Sequence, residues 1–363
     1  MSITPLPRGV IELDQSAPFY NAQQLLLRAE AEIALLDRAQ PSNAAAEREA
    51  LIADFGAGRP REPRFAYRPR PALFALRAEL SATATRLEAF GPLGALYAAR
   101  ARELELEASA AEHIDSEAFG AHAARRYPLE VSVDADAAHA WAARWIGASD
   151  RESTTLHRSD DRADPRSLLA TLERATEGLP VRVEIRANQA AAAAVGHGFI
   201  GVRPGLWHSE HEVLRIVLHE VEGHARPRVS AQREPLGLFR VGSAQSSDDE
   251  EGRALLLERR AGVLEGARRR ELARRHIAAR NVRAGRSFVG TVTDLLGLSQ
   301  DIASAVEAAC RAYRGGGLGR EIVYLVALSR VERAFAAEPE LEAWFERGRV
   351  SVEAARVCAA GFA

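Results

Sequence analysis

Apolar residues recur at helical spacing along most of the chain. Between Tyr20 and about Asp54, Leu25, Leu26, Ala29, Ile33, Leu35 and Leu36 lay out broad apolar faces, broken at Pro41-Ser42-Asn43, where Ser42 or Asn43 can cap the next helix. Further helices are predicted over 71–89, 93–113, 116–126 and 134–145, so residues 1–128 read as a helical N-terminal region ahead of a second unit, 129–363. Residues 57–71 are rich in Pro and Arg and read as an extended connector lying over the core. The most polar stretch, 147–166, reads as a mobile loop. After a helix over 167–176 come the only clear strands, 181–185, which alternates apolar and polar, and 197–202. Beyond Glu251 the pattern is helical almost to the end, with a stop at Gly315-Gly316-Gly317.

The stretch that departs from ordinary patterning starts after Ser209, an N-cap completed by Glu212 three residues on. Val213, Leu214, Val217, Leu218 and Val221 form one apolar stripe, and set into it are His219, Glu220 and His224. Burying such groups is unfavourable unless something uses them, and a divalent metal would. Zinc peptidases place two histidines four residues apart, about 40° around a helix, whereas five residues turn through about 140°. His219 and His224 can therefore share an ion only across a π-bulge, for which Gly223 is a natural place. The other reading ends the helix at Gly223, with His224 as a solvent-facing cap.

A second acidic stretch, Asp248-Asp249-Glu250-Glu251-Gly252, opens another helix that Asp248 or Asp249 can cap. Glu251, Ala254, Leu255, Glu258 and Gly262 share one face, which suits Glu251 as a third ligand; alternatively Glu250 and Glu251 only complement the helix dipole. The run 226–247 between the two stretches, with Pro227, Pro235, Gly237 and Gly242, reads as a long connection. His208 and His211 sit at the start of the first helix and read as structural.

These residues resemble a family of zinc peptidases that includes the microtubule-associated tyrosine carboxypeptidases, whose bacterial members carry a Gln-Glu-Gly-Leu-Ala motif and are labelled by a supposed effect on flavohaemoglobin expression. The likeness rests on His219-Glu220 with His224, on Glu251-Gly252, on Arg311-Ala-Tyr313-Arg314-Gly315-Gly316 with Gly319-Arg320-Glu321 and Tyr324-Leu325, and on Phe65-Ala66-Tyr67. The resemblance implies an α+β, predominantly helical fold: a gluzincin-like core with a small β-sheet beside the metal helix. It implies one Zn2+ held by His219, His224 and Glu251, with Glu220 as catalytic base. Arg311, Arg314 and Arg320 are then the candidates for a substrate's terminal carboxylate, and Tyr324 for donation to the oxyanion. Surface pairing of these arginines with Glu307 and Glu321 is the plainer alternative. Departures are Glu250 and Arg253 within the acidic motif, Arg320 and Glu321 where the family has Lys and Asp, and a shortened 316–320 loop.

Composition narrows the picture. The net charge of −2 gives no field that argues for nucleic acid or an acidic membrane, and no apolar run is long enough to span one. All 48 basic residues are arginine, as a GC-rich bacterial genome would give, and the runs at 259–260, 268–270 and 274–275 alternate with leucines and read as a solvated helix face. Cys310 and Cys358 are too few for a disulfide framework, and no basic-then-apolar leader opens the chain, so it reads as cytoplasmic. The three glycines at 315–317 lack the lysine and Ser/Thr of a P-loop. The expected activity is a zinc carboxypeptidase whose partner is a peptide or protein C-terminus. The alternatives are a zinc endopeptidase or aminopeptidase, which needs no arginine cluster, and a zinc-binding regulatory protein, which needs no Glu220.

Overall fold

The computed structural model describes residues 6–149, 155–187, 189 and 191–362. The apolar stripes become helices: α1 (Ala17–Ile33), α2 (Phe74–Leu87), α3 (Gly91–Ala111), α4 (Val133–Trp145), α5 (Glu210–Val217), α6 (Ser246–Arg260), α7 (Gly266–Arg283), α8 (Ile302–Gly317) and α9 (Val323–Ala337), with shorter ones between them. α3 lies against α1 and α2, α4 against α7 and α9, and α6 lies between α9 and the helical turn that continues α5. One apolar cluster runs through both halves, joining Leu26, Leu80, Tyr97 and Leu104 to Leu255, Leu325 and Phe345. Each such side chain contributes about 1.5–3 kcal/mol by leaving water, so the helices before residue 128 and those after it are held by shared burial. No helix among the described residues is long and apolar enough to cross a membrane.

The Pro/Arg-rich connector is extended, and polar contacts fasten it to the helices. Asn43 donates to Arg64 O at 2.8 Å and accepts from Ala66 N at 2.9 Å, while the Tyr67 hydroxyl accepts the Gly315 N–H at 2.8 Å. α8 leaves helical dihedrals at Arg314, Gly315 and Gly316, which redirects the chain toward Arg320.

The strands are β1 (His157–Arg158), β2 (Arg182–Ile185), β3 (Ala193–Val195), β4 (Phe199–Val202) and β5 (Trp207–His208). β4 is central, parallel to β2 on one side and antiparallel to β3 on the other. Its Ile200 and Val202 are buried against Val213, Ile216, Val217 and Val221, so the sheet lies on the apolar stripe of α5 and its continuation. The 197–202 strand therefore has no free edge, since both its sides are paired; the edges are β2 and β3, and β3 is too short and alanine-rich to show in the pattern. The polar 147–166 stretch is not loop throughout. β1 pairs with β5, and His157 Nδ1 lies 2.5 Å from Asp164 Oδ2; residues 150–154 lie outside the described ones. The long connection 226–247 also proves partly helical, over Arg226–Ala231 and Leu238–Val241.

Two glycines set how closely the central helices approach. A Cβ on Gly223 would lie 2.7 Å from the Cβ of Ala254 on α6. One on Gly252 would lie 2.5 Å from the backbone carbonyl of Ala327 on α9. Only hydrogen fits at either point, and so α6, which carries Glu251, is pressed against both neighbours.

Candidate metal centre and active site

Ser209 caps α5 as its spacing predicts: its Oγ accepts the Glu212 N–H at 3.2 Å, and Glu212 Oε2 accepts the Ser209 N–H at 3.0 Å. Beyond Val217 the helix does not end. From Leu218 to Ala225 it is π-helical, widened to i→i+5 pairing, and the five-residue step returns to the same face. His219 and His224 thus sit together, with ring centroids 5.0 Å apart and Nε2 atoms 3.3 Å apart. His224 is 7% exposed, which rules out the solvent-facing cap. The irregularity covers the whole segment rather than Gly223 alone.

α6 brings Glu251 to the pair, its Oε2 3.4 Å from His219 Nε2 and 3.9 Å from His224 Nε2. This helix starts at Ser246 behind Gln245, so Asp248 and Asp249 are not its caps. Both are buried in its first turn, Asp248 paired with Arg126 at 2.9 Å and Asp249 with Arg330 at 2.6 Å.

The donor set fits a small cation. His219 Nδ1 lies 2.8 Å from Glu258 Oε1, which places the proton on Nδ1 and leaves Nε2 bare. That bare nitrogen faces His224 Nε2 and the Glu251 carboxylate, an arrangement of lone pairs and negative charge that is favourable only with positive charge between them. Two nitrogens each 2.0–2.1 Å from a tetrahedral ion lie about 3.3 Å apart, the spacing found here. Without an ion a proton takes that place. Burial opposes charging His219, but Glu251 and Glu258 outweigh it and lift its pKa to about 10. Burial holds His224 down, to about 4. Burial would raise Glu251, yet His219 and Arg320 hold it well below the usual carboxylate range.

Glu220 follows His219 on the π segment and turns toward the sheet. Gly196 N–H donates to Phe199 O and Arg203 N–H to Ala192 O, so Val195, between them on β3, points its own N–H away from β4; it donates to Glu220 Oε2 at 3.1 Å. Burial, reinforced by the charge of Glu251, raises the Glu220 pKa to about 7 despite the opposing charge of His219.

The arginines divide. Arg320 reaches Glu251 Oε1 at 3.2 Å and donates to the Tyr324 hydroxyl at 2.8 Å, so it braces one proposed ligand and the proposed oxyanion donor together. Arg314 and Arg311 lie 3.0 Å and 3.7 Å from Glu321 Oε1. They do pair with Glu321, but Glu321 has no exposed surface, so this is an interior cluster rather than a surface one. The basic run on α7 belongs to the same interior. Arg268 bridges Glu258 at 3.3 Å and Glu271 at 2.9 Å, and Arg275 packs over the Tyr324 ring at 5.8 Å. Burial, then the neighbouring charge of Arg311, pulls the Arg275 pKa down to about 10. The expectation of a solvated face holds for Arg260, which is exposed, but fails for Arg268 and Arg275, which are largely covered and answer the buried Glu258 and the half-buried Glu271. A cavity of about 710 Å³ is lined by Arg215, Arg268, Arg275 and Arg311 among others, though by none of His219, Glu220, His224 or Glu251.

Sequence reasoning named the three converging residues and Glu220 but missed Glu258 and Val195. Glu258 stood on the face drawn through Glu251, seven residues on, and that spacing was the available signal. Val195 contributes a backbone N–H, which no residue type advertises.

The family model described as microtubule-associated tyrosine carboxypeptidase matches residues 54–360 of the chain. No curated protein and no solved structure matches it.

Proposed function

This chain belongs to the microtubule-associated tyrosine carboxypeptidase family, and from that premise we propose that it is a zinc-dependent carboxypeptidase releasing the C-terminal residue, tyrosine foremost, of a peptide or protein. The observation that carries the reading is the convergence of His219 Nε2, His224 Nε2 and Glu251 Oε2, which lie within 4.8 Å of one another beside a glutamate whose pKa is raised to about 7. Two imidazoles and one carboxylate would hold zinc and leave a position open, the arrangement of catalytic rather than structural sites. Zinc bound there supplies Lewis acidity toward a carbonyl oxygen and acidifies water to a pKa of about 7.

The chain's own residues supply the rest. Glu220, steadied by the Val195 N–H, takes the proton of the attacking water on its carboxylate and hands it to the departing amine; a base with a pKa near neutrality suits both transfers. Arg320 fixes the Glu251 carboxylate from behind and orients the Tyr324 hydroxyl, which donates to the oxygen that becomes negative. The free edge of β3, turned toward Glu220, can pair with an extended substrate backbone. Arg311 and Arg314 share the one carboxylate of Glu321, which leaves positive charge in excess there and supports a site for the substrate's terminal carboxylate.

The test compares two peptides of one sequence ending in tyrosine, one with a free and one with an amidated C-terminus. Tyrosine released from the free peptide alone, and lost on chelation, is the expected result. Equal cleavage of both, or cleavage at internal bonds, would identify an endopeptidase instead.

A further inference from the structure

A second cavity, of about 370 Å³, opens between α3, the 127–130 segment, the start of α6, and α7 and α9. None of His219, Glu220, His224 or Glu251 lines it. Its size is that of a small-molecule site. Leu106, Leu129, Val323 and Val326 give it apolar walls.

His276 of α7 is part of the wall and is 1% exposed. Among the described residues neither of its ring nitrogens has a hydrogen-bond partner. Burial, then the charge of Arg280, depresses its pKa to about 3, so at neutral pH the ring offers one N–H and one bare nitrogen. A buried polar side chain without partners is uncommon in folded proteins, and here it faces a cavity.

The charges around the cavity are unequal in their commitments. Arg280, one turn along α7 from His276 and on the same face, lines it, as does Arg125 from the opposite side. Neither guanidinium forms an ion pair with a described residue. The inward carboxylates are already engaged, Asp248 with Arg126 at 2.9 Å and Glu103 with Arg100 at 2.5 Å and Arg126 at 3.0 Å. Arg330 is likewise held, by Asp249 at 2.6 Å. Glu130 lies exposed on the rim.

We propose that this cavity binds a small carboxylic acid with an apolar body, its carboxylate shared between the Arg280 guanidinium and the His276 N–H and its body against Leu106, Val323 and Val326. Two guanidiniums outside any ion pair, a neutral imidazole N–H and apolar walls match an amphipathic carboxylate. The site stands apart from the metal reading: it uses none of the proposed ligands, although Asp248 in its wall is one turn from Glu251 on α6.

The experiment is calorimetric titration of the full chain, as purified, with octanoate, with octan-1-ol and octylamine as controls. Octanoate is expected to saturate at one molecule per chain and to bind at least tenfold more tightly than either control. Arg280→Ala, a rim substitution that leaves the core intact, and His276→Phe should each weaken it at least tenfold, with metal content unchanged. Absence of saturable binding overturns the proposal, as does equal affinity for octylamine or an affinity unmoved in both variants. Binding that disappears in Glu251→Ala and persists in Arg280→Ala would place octanoate at the metal centre and overturn it too.

Discussion

His219 Nδ1 lies 2.8 Å from Oε1 of Glu258, a carboxylate with no exposed surface that Arg268 holds in turn at 3.3 Å. The contact fixes which nitrogen of His219 carries the proton and aims the other at His224 and Glu251. Burial would raise the Glu258 pKa, but Arg268 and His219 pull it to about 2, so it is anionic throughout the neutral range. Outer carboxylates of this kind typically account for 10–100-fold in metal affinity. Glu258→Gln, which keeps an acceptor and removes the charge, is therefore expected to weaken zinc binding by about that factor in competition with a chelator. Unchanged affinity in a folded variant would reduce the pair to a structural contact.

Val195 makes a second prediction, because among the described residues its backbone N–H is the hydrogen-bond donor that β3 offers the proposed base. Val195→Pro deletes that donor at an edge position, where proline is tolerated. A hydrogen bond to a charged group contributes about 1.5–3 kcal/mol, so kcat is expected to fall roughly tenfold or more. The acid limb of the pH profile should also move upward, since the lost bond is one that lowers the Glu220 pKa. A fall in kcat with no shift of that limb would locate the effect in the strand rather than in the base.

Gly252 tests the packing that delivers Glu251. An added methyl would meet the Ala327 backbone at 2.5 Å, and backbone cannot swing aside as a side chain can. Gly252→Ala is expected to destabilise the protein by about 1–3 kcal/mol, read as a lower urea midpoint. A midpoint equal to wild type would mean that α6 and α9 separate freely.

The apolar periodicity located the helices well because each buries one face, and the five-residue histidine spacing by itself called for a π segment if the two rings were to meet. Glu251 could be named because the Glu251-Gly252 pair carries the family resemblance, while the helix pattern alone left a dipole role open. The register of β3 was hidden, since Ala193 and Ala194 carry no strand signature and Val195 acts through its backbone. The arginines misled for a different reason. Charge on a helix usually means solvent, and only the fold shows that Arg268 and Arg275 are largely covered and answer Glu258 and Glu271.

The depressed pKa of His276 gives a stability prediction with a definite sign. Unfolded, the ring takes up a proton below its ordinary value of 6.5; folded, it does so only near 3. Between those values the unfolded chain binds more protons, so stability is full above pH 6.5 and declines as the pH falls toward 3. At pH 4.5 the loss from this group is on the order of 2 kcal/mol. His276→Phe should flatten the slope of unfolding free energy against pH in that window. A slope identical to wild type would contradict the assignment.

A single zinc ion held by His219, His224 and Glu251 underlies the proposed chemistry, and the decisive experiment is metal content of the purified protein, wild type beside Glu251→Ala. One equivalent of zinc is expected in the wild type and a sharp fall in the variant, with the helical circular dichroism of both alike. Zinc retained in full by Glu251→Ala would remove Glu251 from the site, and a wild type without zinc that takes none up on titration would contradict the three-ligand centre altogether.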